Sequence, residues 1–151
     1  MELNKEGIDL VRRFEGFRSR PYLCPAGKPT IGYGMTMYPN GKPVTLQDKP
    51  ITEAEAVTML AALLKQFADQ VKPLIKVTMT DNQFSALVSF AYNVGIGNFR
   101  SSTLLKRLNE QKFDQAANEF LQWSKARVNG VLQPMPGLVK RRIAERALFV
   151  Q

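Results

Sequence analysis

The chain has 151 residues, which is enough for one domain or for two small lobes that share a core. Its 21 Lys and Arg against 13 Asp and Glu leave a formal net charge of +8, which favours polyanions such as nucleic acid, an anionic membrane or an acidic cell-wall polymer. With no histidine and one cysteine, the chain excludes Ser-His-Asp, Cys-His and histidine-metal chemistry, multi-cysteine zinc sites and intrachain disulfides.

The first predicted element is an amphipathic helix over residues 3–15, which Asn4 is placed to cap and Gly16 to end. Its N-terminal segment mixes charges into the apolar residues and lacks the apolar core of a signal peptide. No apolar run in the chain approaches the ~20 residues that span a bilayer. We therefore expect the protein to be made, and to remain, in the cytoplasm until something releases it.

Glycine and proline interrupt the next segment, residues 17–46, and exclude a helix there. The short runs PTIGYG and PVTL fit small strands, and PAGK and YPNGK fit the turns between them. We predict a β-ribbon of two or three strands over this segment.

Helices follow the ribbon. The spacing of Thr52 and Glu55, and that of Thr80 and Gln83, predicts a capping box at the start of each of two helices. The first should end near Pro73, and the second is apolar nearly all round, which indicates the buried centre of a lobe. Further helices are predicted near residues 102–109, 113–124 and 137–149, with a Gly/Pro loop before the last. The predicted fold class is α+β, mainly helical.

Among the acidic residues, Glu15 has the least ordinary setting. It lies at the C-terminal end of its helix, where the helix dipole disfavours a negative charge, and between Phe14 and Phe17, which can exclude water. Both effects raise the pKa of a carboxyl group, as a general acid requires. The alternative is an exposed residue at a helix end. Because the chain lacks histidine, we expect carboxylates to supply any acid or base, and we expect neither a metal nor another cofactor.

A turn at PAGK would place Cys24 and Thr30 on neighbouring strands, facing each other, with Glu15 over the same groove. A carboxylic acid that faces a thiol and a hydroxyl across a cleft could protonate a leaving oxygen while water attacks. The alternatives are a small half-buried filler for Cys24 and an ordinary strand residue for Thr30.

The spacing Glu, eight residues, Cys, five residues, Thr is occupied by Glu15, Cys24 and Thr30. It is followed by TIGYG, FAYNVGIGNFRSSTLLKRLN, a tryptophan at Trp123 and PGLVKRRIAER. In this order, over essentially the whole chain, these segments resemble the phage-type lysozymes, a family of endolysins, and in particular their lambdoid-prophage branch.

The resemblance implies one lysozyme-like domain, with an N-terminal lobe at about 1–55 that contains the β-ribbon and a helical lobe at about 56–151. Substrate would lie in the cleft between the lobes. It implies a muramidase that hydrolyses the β-1,4 bond between N-acetylmuramic acid and N-acetylglucosamine in peptidoglycan and so releases phage from the host cell. It also implies a holin-type pore for export to the cell wall, and we expect a monomer.

By the same resemblance Glu15 is the general acid, Cys24 is the second polar residue of the cleft, and Thr30 helps to hold the attacking water. The positions implied for sugar contacts are Thr36, Tyr92 and Ser102. Cys24 stands where many members have Asp, and a thiol is mostly neutral at pH 7, with an ordinary pKa of about 8.5. We expect water attack with inversion; a thiolate attacking carbon would imply retention instead. Met35 stands where another branch of the family has a histidine. The structural ion pair that this histidine forms in that branch is therefore not expected in this chain.

On the last helix, a spacing of 100° per residue places the apolar residues along one broad face that is predicted to be buried: Leu138, Val139, Ile143, Ala147, Phe149 and Val150. Arg142 and Arg146 fall inside this face, and Arg141 and Glu145 fall outside it. A guanidinium in an apolar face either extends to water or pairs with a buried anion. We therefore predict that Arg142 or Arg146 pairs with Glu15 or lies directly behind it, and that Arg141 and Glu145 pair at the surface.

Three other functions stay open from the sequence. A nucleic-acid-binding module is disfavoured because the basic residues are scattered, and we expect no nucleic-acid partner. The basic last helix could contact an anionic membrane or outer-membrane lipid, although a helix that closes the lobe is the simpler interpretation. A lytic transglycosylase or other glycan hydrolase would also use a lone glutamate.

Overall fold

The computed structural model describes all of residues 1–151. The elements in chain order are α1 Lys5–Glu15, β1 Arg18–Leu23, β2 Pro29–Gly32, α2 Glu53–Val71, α3 Asp81–Val94, α4 Ile96–Arg100, α5 Thr103–Asn109, α6 Phe113–Glu119, β3 Lys125–Val128, β4 Val131–Pro134 and α7 Pro136–Val150. Short 3₁₀ turns at Lys72–Leu74 and Phe120–Trp123 follow α2 and α6. The fold is α+β with a helical majority, as the sequence predicts.

Helix α1 has the predicted ends. The Asn4 side chain accepts a hydrogen bond from the Gly7 N–H, 3.1 Å away, and satisfies one of the free donors of the first turn. Gly16 has φ 69°, and its N–H donates to the Arg12 carbonyl at 3.0 Å. A positive φ favours glycine, so the chain turns off the helix directly after Glu15.

Strands β1 and β2 form an antiparallel hairpin in which Tyr22 is opposite Thr30. Between β2 and α2 the chain makes only two isolated bridges, Ile31 to Met35 and Met37 to Pro43. The predicted ribbon therefore has two strands, with an irregular extension towards α2.

Helices α2 and α3 begin with the two predicted capping boxes, at Thr52 and Thr80. Eight consecutive residues of α3, from Phe84 to Ala91, are buried, and α3 packs against α1, α2 and α7. It is the central helix of the fold, as its apolar sequence predicts. None of the helices is both long and apolar enough to cross a membrane.

The core has two parts. The larger comprises 23 buried residues around α3, where the Phe90 ring meets the rings of Phe99, Phe120 and Trp123. The smaller lies under the hairpin and comprises Ile31, Met35, Val44 and Leu63. Met35 is 1% exposed, so this position supplies apolar packing.

The predicted loop before the last helix is instead a second antiparallel hairpin, β3–β4, in which Val128 is opposite Val131. Asn129 and Gly130 form its turn, with φ of 51° and 80°. Two successive positive φ values match the twist of a tight hairpin, and Asn-Gly is the dipeptide that adopts them most readily. The sequence contains this Asn-Gly signal, followed by prolines that favour a loop.

Helix α7 buries a different face from the predicted one. Its buried residues are Arg141, Arg142, Glu145, Leu148 and Phe149. Ile143 and Val150, predicted inside, are 55% and 56% exposed. The prediction was wrong for Arg141 and Glu145 because it located the buried face from the apolar residues of the helix alone, whereas these two charged residues are buried in mutual contact.

Thr80→Ala removes the hydroxyl that accepts from the Gln83 N–H at 3.1 Å and leaves this donor of α3 without its cap. We expect the free energy of unfolding to fall by about 0.5–2 kcal/mol, measured by urea denaturation. The matched control is Thr58→Ala, because the Thr58 hydroxyl is exposed and donates only to the Ala54 carbonyl within its own helix. A change within about 0.5 kcal/mol is expected for the control. Equal losses in the two variants would contradict the capping role.

Candidate active site

A cleft of about 370 Å³ lies between the β1–β2 hairpin and helices α2 and α3. It is lined by Glu15, Tyr22, Cys24, Pro25, Thr30, Gly34, Met35, Thr36, Met37, Leu63, Phe67, Tyr92 and Asn93. Five of the residues predicted for the site are therefore brought together, from segments that span most of the chain. Glu15 is the one carboxylate among the lining residues.

Glu15 is held at the cleft by the end of α1 and by Gly34. A Cβ atom at Gly34 would lie 2.5 Å from one Glu15 carboxylate oxygen, so the carboxylate packs directly on the glycine backbone. Gly34 also has φ 69°, which side chains other than glycine rarely adopt. Both constraints require glycine at this position.

The Glu15 side chain is 18% exposed. Burial raises the pKa of its carboxyl group, and the nearby Arg141 guanidinium opposes that rise without cancelling it. The sequence could not decide between these two effects. In the structure desolvation is the larger one, so the general-acid form persists to higher pH than for an ordinary glutamate.

The cation beside Glu15 is Arg141, whose Nη1 lies 3.3 Å from Glu15 Oε1. The prediction was therefore wrong in pairing Arg142 or Arg146 with Glu15, whereas its other alternative, a position directly behind Glu15, holds for Arg142. Arg146 lies outside the site and donates to Asn118. Arg142 does not pair with Glu15 but lies one layer behind it, where it binds Glu145. The helical repeat of α7 could not distinguish these arginines, because the choice depends on which face meets α3.

Glu145 is fully buried and joins the two arginines. It accepts from Arg141 Nε at 3.2 Å, from Arg142 Nη1 at 2.5 Å and from the Ser89 hydroxyl at 2.7 Å. The predicted surface pair of Arg141 and Glu145 exists, but it is inside the protein. Every buried side-chain nitrogen and oxygen has a hydrogen-bond partner, so the charged cluster is fully satisfied.

Cys24 follows the end of β1 at the turn of the hairpin, and Thr30 lies in β2. The Cys24 N–H donates to the Lys28 carbonyl at 3.0 Å, and the Thr30 hydroxyl donates to the same carbonyl at 2.9 Å. A backbone hydrogen bond from Lys28 lowers the pKa of the Cys24 thiol, and the Thr30 hydroxyl acts in the same direction. The two residues therefore lie close together, as predicted, but they are not opposite each other on neighbouring strands, because Tyr22 is the residue opposite Thr30.

The three predicted sugar-contact positions differ in outcome. Thr36 is exposed and Tyr92 is half-buried, and both line the cleft; the Tyr92 hydroxyl donates to the Tyr33 carbonyl at 2.9 Å. Ser102 does not line it. Its hydroxyl caps α5 by accepting from the Leu105 N–H at 3.1 Å and donates to the Phe99 carbonyl at 2.7 Å. The hydroxyl therefore uses its donor and an acceptor site within the fold. The predicted sugar contact at Ser102 is corrected accordingly: this residue caps α5 instead.

Sequence reasoning missed Tyr22 and Asn93, both of which line the cleft. Tyr22 is opposite Thr30 in the hairpin, and correct register would have found it. Asn93 accepts from Arg142 through its side-chain oxygen, a contact that no local pattern could indicate. No group of three or more Cys, Asp or Glu side chains is arranged to hold a metal ion.

The arrangement can perform one kind of chemistry with its own groups. A partly desolvated carboxyl can deliver a proton to an oxygen bound in the cleft. A thiol and a hydroxyl on the hairpin face the same space and can hold a water molecule. These are the parts needed to hydrolyse an acetal such as a glycosidic bond.

Comparison with known proteins agrees with this chemistry. The sequence model of the family described as Phage lysozyme matches residues 12–145. The chain belongs to the phage lysozyme family. Its function is that of an endolysin, a glycosidase that acts on the bacterial cell wall.

Relatives match this family member over nearly its whole length. The endolysin of Acyrthosiphon pisum secondary endosymbiont phage 1 is 42% identical over 99% of this chain and 98% of its own. The endolysin of Salmonella phage P22 is 35% identical over 99% of both chains. The solved structure of the endolysin from Escherichia coli O157:H7 phage FAHEc1 aligns with a TM-score of 0.89 and 37% identity, covering 99% of this chain and 94% of that one.

Gly34→Ala adds a methyl group 2.5 Å from the Glu15 carboxylate and strains the backbone. We expect the carboxylate to be displaced and lytic activity to fall about 10²-fold. The control is Gly41→Ala, which also has a positive φ, 88°, but has nothing within 4 Å of the added atom. Both variants should lose about 1 kcal/mol of stability, and only Gly34→Ala should lose activity. Equal activity losses in turbidity assays would refute the contact with Glu15.

Proposed function

We propose that this phage-type lysozyme is an N-acetylmuramidase, which cleaves the β-1,4 bond between N-acetylmuramic acid and N-acetylglucosamine with Glu15 as the general acid. The observation that carries the proposal is the position of the Glu15 carboxyl group. It lies in the cleft against Gly34, it is mostly buried, and its pKa is raised. The family resemblance supplies the identity of the bond.

Glu15 has the two properties that an acid catalyst needs at near-neutral pH. Desolvation keeps a fraction of the carboxyl group protonated, and Arg141 stabilises the carboxylate that remains after the proton has moved to the leaving oxygen. Burial without the arginine would make Glu15 a weak proton donor. The arginine without burial would leave it already ionised.

On the hairpin, Cys24 and Thr30 are proposed to hold the attacking water. The Thr30 hydroxyl gives its proton to the Lys28 carbonyl, so its oxygen has lone pairs available to accept from water. The lowered pKa of the Cys24 thiol increases the fraction present as thiolate, whose sulfur can accept the second water proton. Water oxygen attacks the anomeric carbon and gives one proton to the Cys24 thiolate, the glycosidic bond breaks, and Glu15 protonates the departing oxygen. The expected stereochemical result is inversion.

The test is digestion of purified peptidoglycan, with mass spectrometry of the fragments, by the wild type and by Glu15→Gln. We expect hydrolysed products with a reducing end at N-acetylmuramic acid. Glu15→Gln should be about 10²–10⁴-fold slower because the amide cannot donate an acidic proton.

The matched control is Glu6→Gln, which removes an exposed carboxylate from the same helix and should leave the rate unchanged. Circular dichroism should show native folding for both variants. An anhydro-muramic product would show that the enzyme is a lytic transglycosylase rather than a hydrolase. Wild-type turnover by folded Glu15→Gln would remove Glu15 from the mechanism.

Variants of Cys24 test the hairpin side of the cleft. We expect Cys24→Asp to stay active and Cys24→Ala to be impaired by about tenfold or more, because the position needs a polar group that can accept a proton. Rates of peptidoglycan hydrolysis at several pH values measure this. If Cys24→Asp were inactive and a glycosyl-thioether could be trapped on the wild type, a retaining mechanism through the thiolate would replace inversion.

The wider setting is proposed from the family. A monomeric enzyme that passes through a holin-type pore from the host cytoplasm to the peptidoglycan stays a prediction. Contact between α7 and an anionic membrane also stays a prediction. Arg141 and Arg142 are turned inwards, so Lys140 and Arg146 are the remaining cations that this helix can offer to lipid.

A further inference from the structure

Glu145 is a buried charge that the proposed reaction does not use. It is 0% exposed, it lies on α7 and it does not line the cleft. A carboxylate without solvent is costly unless its oxygens are fully paired. Its partners therefore show what it contributes to the molecule.

Both oxygens of Glu145 are occupied. Oε2 accepts from Arg141 Nε at 3.2 Å and from the Ser89 hydroxyl at 2.7 Å, and Oε1 accepts from Arg142 Nη1 at 2.5 Å. One carboxylate thus holds two planar guanidinium groups at once. A planar guanidinium that is held at two of its nitrogens has a fixed direction for the third.

The third nitrogen of each arginine points to the cleft. Arg141 is held at Nε by Glu145 and at Nη2 by the Ser89 carbonyl, 3.2 Å away, and its Nη1 then meets Glu15 at 3.3 Å. Arg142 is held at Nη1 by Glu145 and at Nε by the Trp123 carbonyl, 2.9 Å away. Its Nη2 then donates to the side-chain oxygen of Asn93, a residue that lines the cleft.

We propose that Glu145 is a positioning residue for the cleft, because it holds the two guanidinium groups in the directions by which they meet Glu15 and Asn93. The Asn93 oxygen is thereby occupied, and its amide N–H groups are the donors left for a bound sugar. Glu145 also shares the charge of Arg141, so Glu15 receives only part of that cation. This inference rests on the proposed role of Glu15 as the general acid.

The other titratable groups that face Glu15 do not replace the influence of Glu145 on its pKa. Tyr22 faces Glu15 from β1, and Tyr92 faces it from α3. The pKa of each phenol is raised, so both are neutral at the pH at which the enzyme acts. From α7, Arg141 and, more weakly, Arg142 lower the pKa of Glu15, and Glu145 raises it. Removal of the Glu145 charge should therefore lower the pKa of Glu15.

The test is Glu145→Gln, with two measurements. The first is the pH dependence of kcat/KM, whose alkaline limb follows loss of the Glu15 proton. The second is direct titration of the Glu15 carboxyl carbon by NMR, which needs no substrate. We expect both to move to lower pH in the variant. At pH values above both pKa values, each unit of decrease reduces the protonated fraction about tenfold.

A second variant covers the case in which Glu145→Gln does not fold. Arg142→Met with Glu145→Met removes a buried cation and a buried anion together, leaves the net charge unchanged, and avoids an unpaired buried charge. Arg141 then has Glu15 as its only carboxylate. Loss of Arg142 acts in the opposite direction, but Glu145 is the larger of the two influences on Glu15, so the pKa of Glu15 should again fall. Glu119→Gln is the control for a simple change of net charge, because this carboxylate makes no ion pair, and it should move neither measurement.

The outcomes separate the inference from the proposed function. If the Glu15 titration and the alkaline limb stay in place in a folded variant, the proposal is overturned, and the cluster serves only to hold α7 against α3. A move to higher pH would show that Arg141 has lost its direction towards Glu15, which overturns the charge sharing and supports the positioning. If the NMR titration moves but wild-type digestion shows no glycosidic hydrolysis, the proposed function fails while the coupling of Glu145 to Glu15 stands.

Discussion

The site depends on one balance, the burial of the Glu15 carboxylate beside a single cation. Desolvation raises the pKa of Glu15, and Arg141 at 3.3 Å limits that rise. Each contributor comes from a different part of the chain: α1 ends at the carboxylate, Gly34 allows it to pack on backbone, and α7 supplies the guanidinium. The proton donor is therefore a product of the tertiary fold, and its acid strength follows from distances between elements far apart in sequence.

A cation close to a buried carboxylate must itself be held, because long side chains lose conformational freedom when they are fixed. The cluster behind Glu15 contains Arg141, Arg142 and Glu145, so with Glu15 it has two negative and two positive groups. Because the positive and negative groups are equal in number, the four side chains can be buried without a net charge in the interior. Helix α7 consequently has two functions on one face. Leu148 and Phe149 complete the hydrophobic core, and the charged residues one and two turns earlier support the cleft.

The opposite side of the cleft is constructed differently. The β1–β2 hairpin rests on the small hydrophobic cluster and positions its polar groups through backbone hydrogen bonds around the Lys28 carbonyl. Cys24 and Thr30 need no buried ion pair, because the turn geometry already determines where they lie. A local turn thus presents the groups proposed to hold water, whereas long-range packing presents the proposed acid.

The sequence by itself determined the local features. The caps at Asn4, Thr52 and Thr80, the end of α1 after Glu15, and the hairpin that joins Cys24 to Thr30 all follow from residues within a few positions of one another. Such signals act through backbone conformation and short hydrogen bonds, so they can be read without knowledge of the fold.

Only the tertiary structure decided which side chains meet across the molecule. Hydrophobic periodicity assigns charged residues to the surface, yet Arg141 and Glu145 are buried because Ser89, Glu15 and Arg142 complete their hydrogen bonds. The burial of a charge depends on its partners rather than on its own hydropathy, and those partners lie up to 126 residues away in the chain, the separation of Glu15 and Arg141 (141 − 15). Packing of α7 against α3 therefore selected the arginine that controls the general acid.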